Sequence, residues 1–108
     1  MSTHDILHRL SETLASRRNA DPETSYTAQL FSKGPDAILK KIGEECAELI
    51  MAGKDGKRLN IVWESTDVIY HILVLLAFYG LSIEDVSQEM RRREGISGID
   101  EKKSRDSK

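Results

Sequence analysis

The chain is predicted to fold as an all-α helical bundle of about four main helices, completed by dimerisation. Three observations lead there. Apolar residues recur three and four positions apart in four separate segments, the spacing of one helical face. Runs that alternate apolar and polar residues, as half-buried strands do, are missing from the sequence. The breaks between the periodic segments carry turn residues: Asp21-Pro22, Gly34-Pro35, Gly53 with Gly56, and Gly80.

Ile6, Leu7, Leu10 and Leu14 give the first helix an apolar side over residues 4–17. A polar turn around Asp21-Pro22 leads into residues 25–31, readable as a short helix or an ordered loop. Pro35 suits the first turn of the next helix, where its missing N–H costs nothing. That helix carries Ile38, Leu39, Ile42, Cys46, Leu49 and Ile50 on its apolar side and ends near Met51 or Ala52. Gly43 interrupts it at a cost of about 1 kcal/mol relative to alanine, which is read as close helix packing. The third long helix spans residues 58–79 and is apolar nearly all round from Val68 to Phe78, with Trp63 assigned to the core. Ser82-Ile83-Glu84-Asp85 resembles an N-terminal cap for a fourth helix through Val86 and Met90. After Arg93 the apolar periodicity fails. Residues 1–94 are therefore taken as one helical domain and residues 95–108 as a charged, disordered tail.

Two acid-x-x-acid pairs stand out within this framework: Glu45-Cys46-Ala47-Glu48 on one long helix and Glu64-Ser65-Thr66-Asp67 on the next. Side chains three apart share a helix face, so each pair aims two carboxylates in one direction. Acids at that spacing are commonly a solvated face. Here, however, Ile61, Val62, Trp63, Val68 and Ile69 surround Glu64 and Asp67, and no basic residue lies within either pair. Two carboxylates about 4 Å apart repel by roughly 4 kcal/mol at an effective dielectric of 20. A divalent cation of the Mg2+ or Mn2+ type removes that cost, since such ions take hard oxygen ligands. A metal pocket is the reading preferred over a charged surface.

Composition narrows the function classes. A chain of 108 residues is one domain with a modest core of its own, which association with a second copy would extend. The net charge of -2 lacks the basic surface that nucleic-acid binding requires. Cys46, the single cysteine, excludes an intrachain disulfide and a multi-cysteine zinc site, and is read as a packed side chain. Residues 1–5 have no signal-peptide pattern, so a cytoplasmic location is expected. Residues 68–81, the most apolar run, are too short for a membrane span and contain His71.

The strings Ser25-Tyr26-Thr27-Ala28-Gln29-Leu30-Phe31, Lys41-Ile42-Gly43-Glu44-Glu45-Cys46-Ala47-Glu48 and Glu64-Ser65-Thr66-Asp67-Val68-Ile69-Tyr70-His71 through Leu76 closely resemble the phosphoribosyl-ATP pyrophosphohydrolase family. These are all-α, MazG-type nucleotide pyrophosphohydrolases, and the resemblance covers about residues 5–94. It implies hydrolysis of phosphoribosyl-ATP to phosphoribosyl-AMP and pyrophosphate, the second step of histidine biosynthesis, by a Mg2+-activated water. It implies Glu45, Glu48, Glu64 and Asp67 as the metal ligands and assigns catalysis to Glu44 and Glu45, Glu44 as an additional ligand or as a base. The cyclohydrolase to which this activity is often fused needs several cysteines, so no cyclohydrolase activity is expected of Cys46 alone.

Around that centre, Lys41 sits one turn before Glu44 and Glu45 and is either a phosphate contact or an acid-paired lysine. Lys33 offers the same from the preceding loop, against a solvated alternative for it and for Lys40. Tyr26 and Phe31 are read as packing rather than base stacking, with substrate contact open for both through their segment's resemblance and Tyr26 taken as a substrate-binding candidate. His71, four residues after Asp67, is read as structural or as a support to the ligands. Two other functions compete: a housecleaning (d)NTP pyrophosphohydrolase with the same helices and metal site, and a non-catalytic dimeric helical module whose acids are surface charge.

Overall fold

A computed structural model describes residues 3–106; Met1, Ser2, Ser107 and Lys108, the extremities of the two terminal segments discussed above, lie outside the described residues. Among the described residues the order of elements is α1 (Thr3–Ser16), a 3-10 turn (Arg17–Asn19), α2 (Tyr26–Lys33), α3 (Pro35–Asp55), α4 (Arg58–Phe78), α5 (Ile83–Arg92) and α6 (Gly98–Asp106), with no strand. The all-α reading holds. Residues 25–31 prove to be helical, because the Ser25 hydroxyl accepts the Ala28 amide at 3.1 Å and so caps α2.

The centre of the molecule is the hairpin of α3 and α4, which make the most extensive helix pairing. Gly56, at φ 72°, adopts the left-handed conformation that ends α3, and its amide reaches the carbonyls of Ala52 and Gly53. Arg58 already begins the next helix, and so short a link makes α3 and α4 antiparallel neighbours. The core takes residues from each of the first four helices: Leu14, Leu30, Ile38, Leu73, Val74 and Ala77 are all buried. At the far end of α4, Leu81 N–H bonds Leu76 O at 2.8 Å and Gly80 N–H bonds Ala77 O at 3.1 Å. This is a Schellman closure, with Gly80 at φ 72°. The α5 helix follows at once under a capping box of Ser82 and Asp85, and its first amide, Ile83 N–H, reaches the buried Ser11 hydroxyl on α1.

Four expectations need correction. Trp63 is 56% exposed rather than core, and Leu59, Val62, Ile69 and Ile72 on the same helix are also exposed, because a single copy of the chain has nothing to lay over that side of α4. A Cβ at Gly43 would meet nothing within 4 Å, so close packing within the protomer is not what keeps a glycine there. Residues 68–78 of the apolar run belong to a helix of 21 residues that is long and apolar enough to cross a membrane by length and composition. In this fold, α4 pairs with α1 and α3 and carries Glu64, Asp67 and His71 into a polar centre. Lastly, residues 98–106 are helical where a disordered tail was expected. Glu101, 4% exposed, takes Arg92 at 2.6 Å, Arg105 at 3.0 Å and Arg93 at 3.7 Å. The docking is electrostatic, so it leaves no apolar period in the sequence.

The capping box predicts a local stability effect. Ser82→Ala should lower the free energy of unfolding by about 1 kcal/mol, read as a reduced urea midpoint with an unchanged slope.

Candidate active site

The α3–α4 pairing decides which acids meet. Glu45 and Glu48 lie one turn apart on α3, and Glu64 faces them from α4; one carboxylate oxygen from each falls within 4.8 Å of the other two. Glu45 is buried, Glu64 half-buried and Glu48 exposed, so the group opens to solvent on the Glu48 side. The second oxygens of Glu45 and Glu64 are buried with no hydrogen-bond partner. A buried acceptor left unsatisfied is costly, and here two of them belong to carboxylates of one close group. Asp67 falls outside this close set of three, although its charge acts on both Glu45 and Glu64.

The electrostatics reflect the crowding. Burial, then the neighbouring Glu48 carboxylate, pushes the Glu45 carboxyl above its ordinary range, with Asp67 adding and His71 opposing. Burial likewise raises Glu64, followed by its hydrogen-bonding contact with Glu48 and the charges of Glu48, Asp67 and Glu45. An all-oxygen, anionic set with orphaned lone pairs fits a hard divalent cation of the Mg2+ or Mn2+ class.

A basic cleft adjoins the acids. A cavity of about 430 Å³ is lined by Tyr26, Lys33, Lys40, Lys41 and Glu44, with Leu30 and Ala37 at its apolar side. The three residues singled out for substrate contact, Lys41, Lys33 and Tyr26, thus share one cavity with Glu44. Lys41 Nζ stands 3.6 Å from Glu44 and 3.8 Å from Glu45, joining the cleft to the carboxylate group. The Lys41 ammonium is held above its usual range, first by Tyr26 once that ring is ionised and then, against the opposing effect of burial, by the charges of Glu44 and Glu45. Lys40 also lines the cleft; its adjacency to Lys41 was the only signal for it in the sequence. Cys46 is half-buried and unpaired by any disulfide. Phe31 is partly buried and stacks on Phe78.

Tyr26 is 47% exposed, so it is not a packed core ring. His71 holds it in place. His71 is 6% exposed, and its Nδ1 donates to the Asp67 carbonyl at 2.7 Å. A carbonyl only accepts, so Nδ1 carries the proton and, in the neutral ring, Nε2 accepts the Tyr26 hydroxyl at 3.1 Å. The four-residue spacing from Asp67 to His71 was visible in the sequence, but the partner on α2 was not.

Proteins similar to this chain share one description. The family model described as phosphoribosyl-ATP pyrophosphohydrolase matches residues 7–94. A phosphoribosyl-ATP pyrophosphatase of Dechloromonas aromatica (strain RCB) is 91% identical over 108 residues, covering all of both chains. Those of Azoarcus sp. (strain BH72) and Chromobacterium violaceum are 59% identical over 101 residues and 54% identical over 103, covering 94% and 95% of each chain respectively.

The raised carboxyl pKa values make the metal-free fold pH-dependent. Because Glu45 and Glu64 hold protons more tightly when folded, their contribution to stability is whole below the ordinary value of 4.5 and is lost as pH rises through the raised values. Thermal unfolding of metal-free protein should therefore show a midpoint that falls as pH climbs above 4.5, and Mg2+ at neutral pH should restore it. Glu48→Gln should flatten this dependence.

Proposed function

Given that the chain belongs to the phosphoribosyl-ATP pyrophosphohydrolase family, we propose that it is the hydrolase that converts phosphoribosyl-ATP to phosphoribosyl-AMP and pyrophosphate in histidine biosynthesis, with Mg2+, or Mn2+ in its place, as cofactor. The observation that carries the metal assignment is the convergence of Glu45, Glu48 and Glu64 around two buried oxygens with no partner, next to a cleft lined by lysines.

Each residue's part follows from its position. Glu45, Glu48 and Glu64 would hold the cation, and Asp67, exposed at the edge of the group, would complete the set. When bound, the cation offsets charge on phosphate oxygens and lowers the pKa of an attacking water. Lys41 and Lys33 bind and orient the triphosphate in the cleft. Glu44, exposed and on the cleft wall, takes the proton from the water. Tyr26, anchored through His71, forms one wall of the cleft and fixes where the nucleoside lies. We assign the reaction to residues 1–94, which leaves α6 outside the catalytic part, and to the cytoplasm.

The enzyme is further proposed to act as a homodimer. The exposed apolar residues of α4, with Ile50 and Met51 on α3 and Met90 on α5, leave more unburied hydrocarbon than a chain of this size covers alone. A second copy of the same surface is the simplest complement.

Two outcomes test these assignments. Glu48→Gln and Asp67→Asn should each lower phosphoribosyl-ATP turnover at least about 100-fold, since even outer-shell partners of a metal cost 10–100-fold, while far-UV circular dichroism stays unchanged. Near-normal turnover by Asp67→Asn would remove it from the ligand set, and a preference of the unaltered protein for dNTPs would overturn the substrate. For the dimer, Val62→Glu combined with Ile69→Glu should convert the species seen by light scattering to a monomer.

A further inference from the structure

Tyr26 is the shared wall of two cavities, and only one of them opens on the carboxylates. The second, about 330 Å³, lies between α1, the 3-10 turn and the start of α2, with Tyr70 of α4 also lining it. Its floor is apolar, from Leu10 and Leu14, and its rim is built of hydroxyl groups and one cation: Thr13, Ser25, Thr27, Tyr70 and Arg17. No acidic side chain lines it.

The chemistry of that rim is specific. Among the described residues Arg17 has no carboxylate partner, whereas its neighbour Arg18 donates to the Phe78 carbonyl at 3.4 Å and so ties the turn to the end of α4. Thr13 donates to the Arg9 carbonyl, which leaves its lone pairs to accept. Ser25 accepts the Ala28 amide and keeps its own proton to give. Thr27 and Tyr70 share one hydrogen bond between their hydroxyls, so one of the two protons remains to be donated. An exposed cation without a carboxylate partner, beside mixed hydroxyl donors and acceptors, suits a phosphorylated sugar: the guanidinium for the phosphate, the hydroxyls for the ring.

The structure assigns this second cavity, we propose, to the phosphoribosyl end of the substrate, with Arg17 binding its phosphate and Tyr26 separating it from the triphosphate in the lysine cleft. The inference rests on phosphoribosyl-ATP being the substrate. Such a molecule is anionic at both ends, and each of the two cavities that share Tyr26 presents a cation, Arg17 in one and the lysines in the other. Ordinary nucleoside triphosphates have no group for the Arg17 side, so the cavity is a determinant of specificity.

Steady-state kinetics on the intact protein with Mg2+ test it. Arg17→Gln, and independently Thr13→Glu, which places a negative charge in the cavity, should raise KM for phosphoribosyl-ATP about 10-fold or more, the loss of one charge-assisted contact. The inhibition constant of ATP, which lacks the second sugar, should move less than about 2-fold, and Arg17→Lys should recover part of the KM. A KM unmoved in both variants, or an ATP inhibition constant that rises in step with KM, overturns the subsite. Lack of turnover by the unaltered protein would instead sink the activity and this inference with it, so the two failures are distinguishable.

Discussion

Mutual repulsion among carboxylates is the constraint on which this structure turns. The α3–α4 hairpin is the most extensive pairing in the molecule, and it presses Glu45, Glu48 and Glu64 into one group in which two oxygens are buried without partners. Folding alone gains nothing from that arrangement. Hydrophobic burial of Ile38, Leu73, Val74 and Ala77 along the same hairpin supplies the favourable free energy that tolerates it. A core built to hold like charges together is a store of binding energy for a cation, and the same store makes the cation-free protein sensitive to pH.

The surroundings of the acids are organised around the same hairpin. Lys41 projects from α3 between the carboxylate group and the cleft, within 4 Å of both Glu44 and Glu45. Tyr26 arrives from α2 and is fixed by His71, whose other nitrogen is held by the backbone of Asp67. One ring therefore ties the wall of the cleft to the helix that carries the acids. Anionic groups on one side and cations on the other suit a substrate whose phosphates meet lysines directly and carboxylates only through an intervening cation.

The protomer leaves two kinds of surface unfinished. Along α4, exposed Val62, Trp63, Ile69 and Ile72 mark hydrocarbon that the first four helices are too few to cover. At the other end, α6 is held to the end of α5 by Glu101 with Arg92 and Arg93, rather than by apolar contact, while Arg105 pairs with Glu101 within α6. Glu89 reinforces that junction: its hydrogen bonds with Arg92 and Arg93 hold its carboxyl down to about 2. The first surface is apolar and the second is not, so hydropathy marked the residues of the first, although Trp63 was expected in the core, while the second was mistaken for a disordered tail.

The sequence alone determined the helices and the acids. Period-3.6 patterning, Pro35, Gly56, Gly80 and the Ser82 cap are local signals, and local hydrogen bonding obeys them. The two acid-x-x-acid pairs were legible for the same reason, since spacing on one helix fixes a shared face. What lies between helices was decided only by tertiary packing: that Glu45, Glu48 and Glu64 meet while Asp67 stands off, that Trp63 faces outward, that His71 reaches Tyr26, and that Glu101 gathers arginines. Those outcomes depend on the rotation and offset of one helix against another, which many side chains set together and no spacing within a single segment encodes.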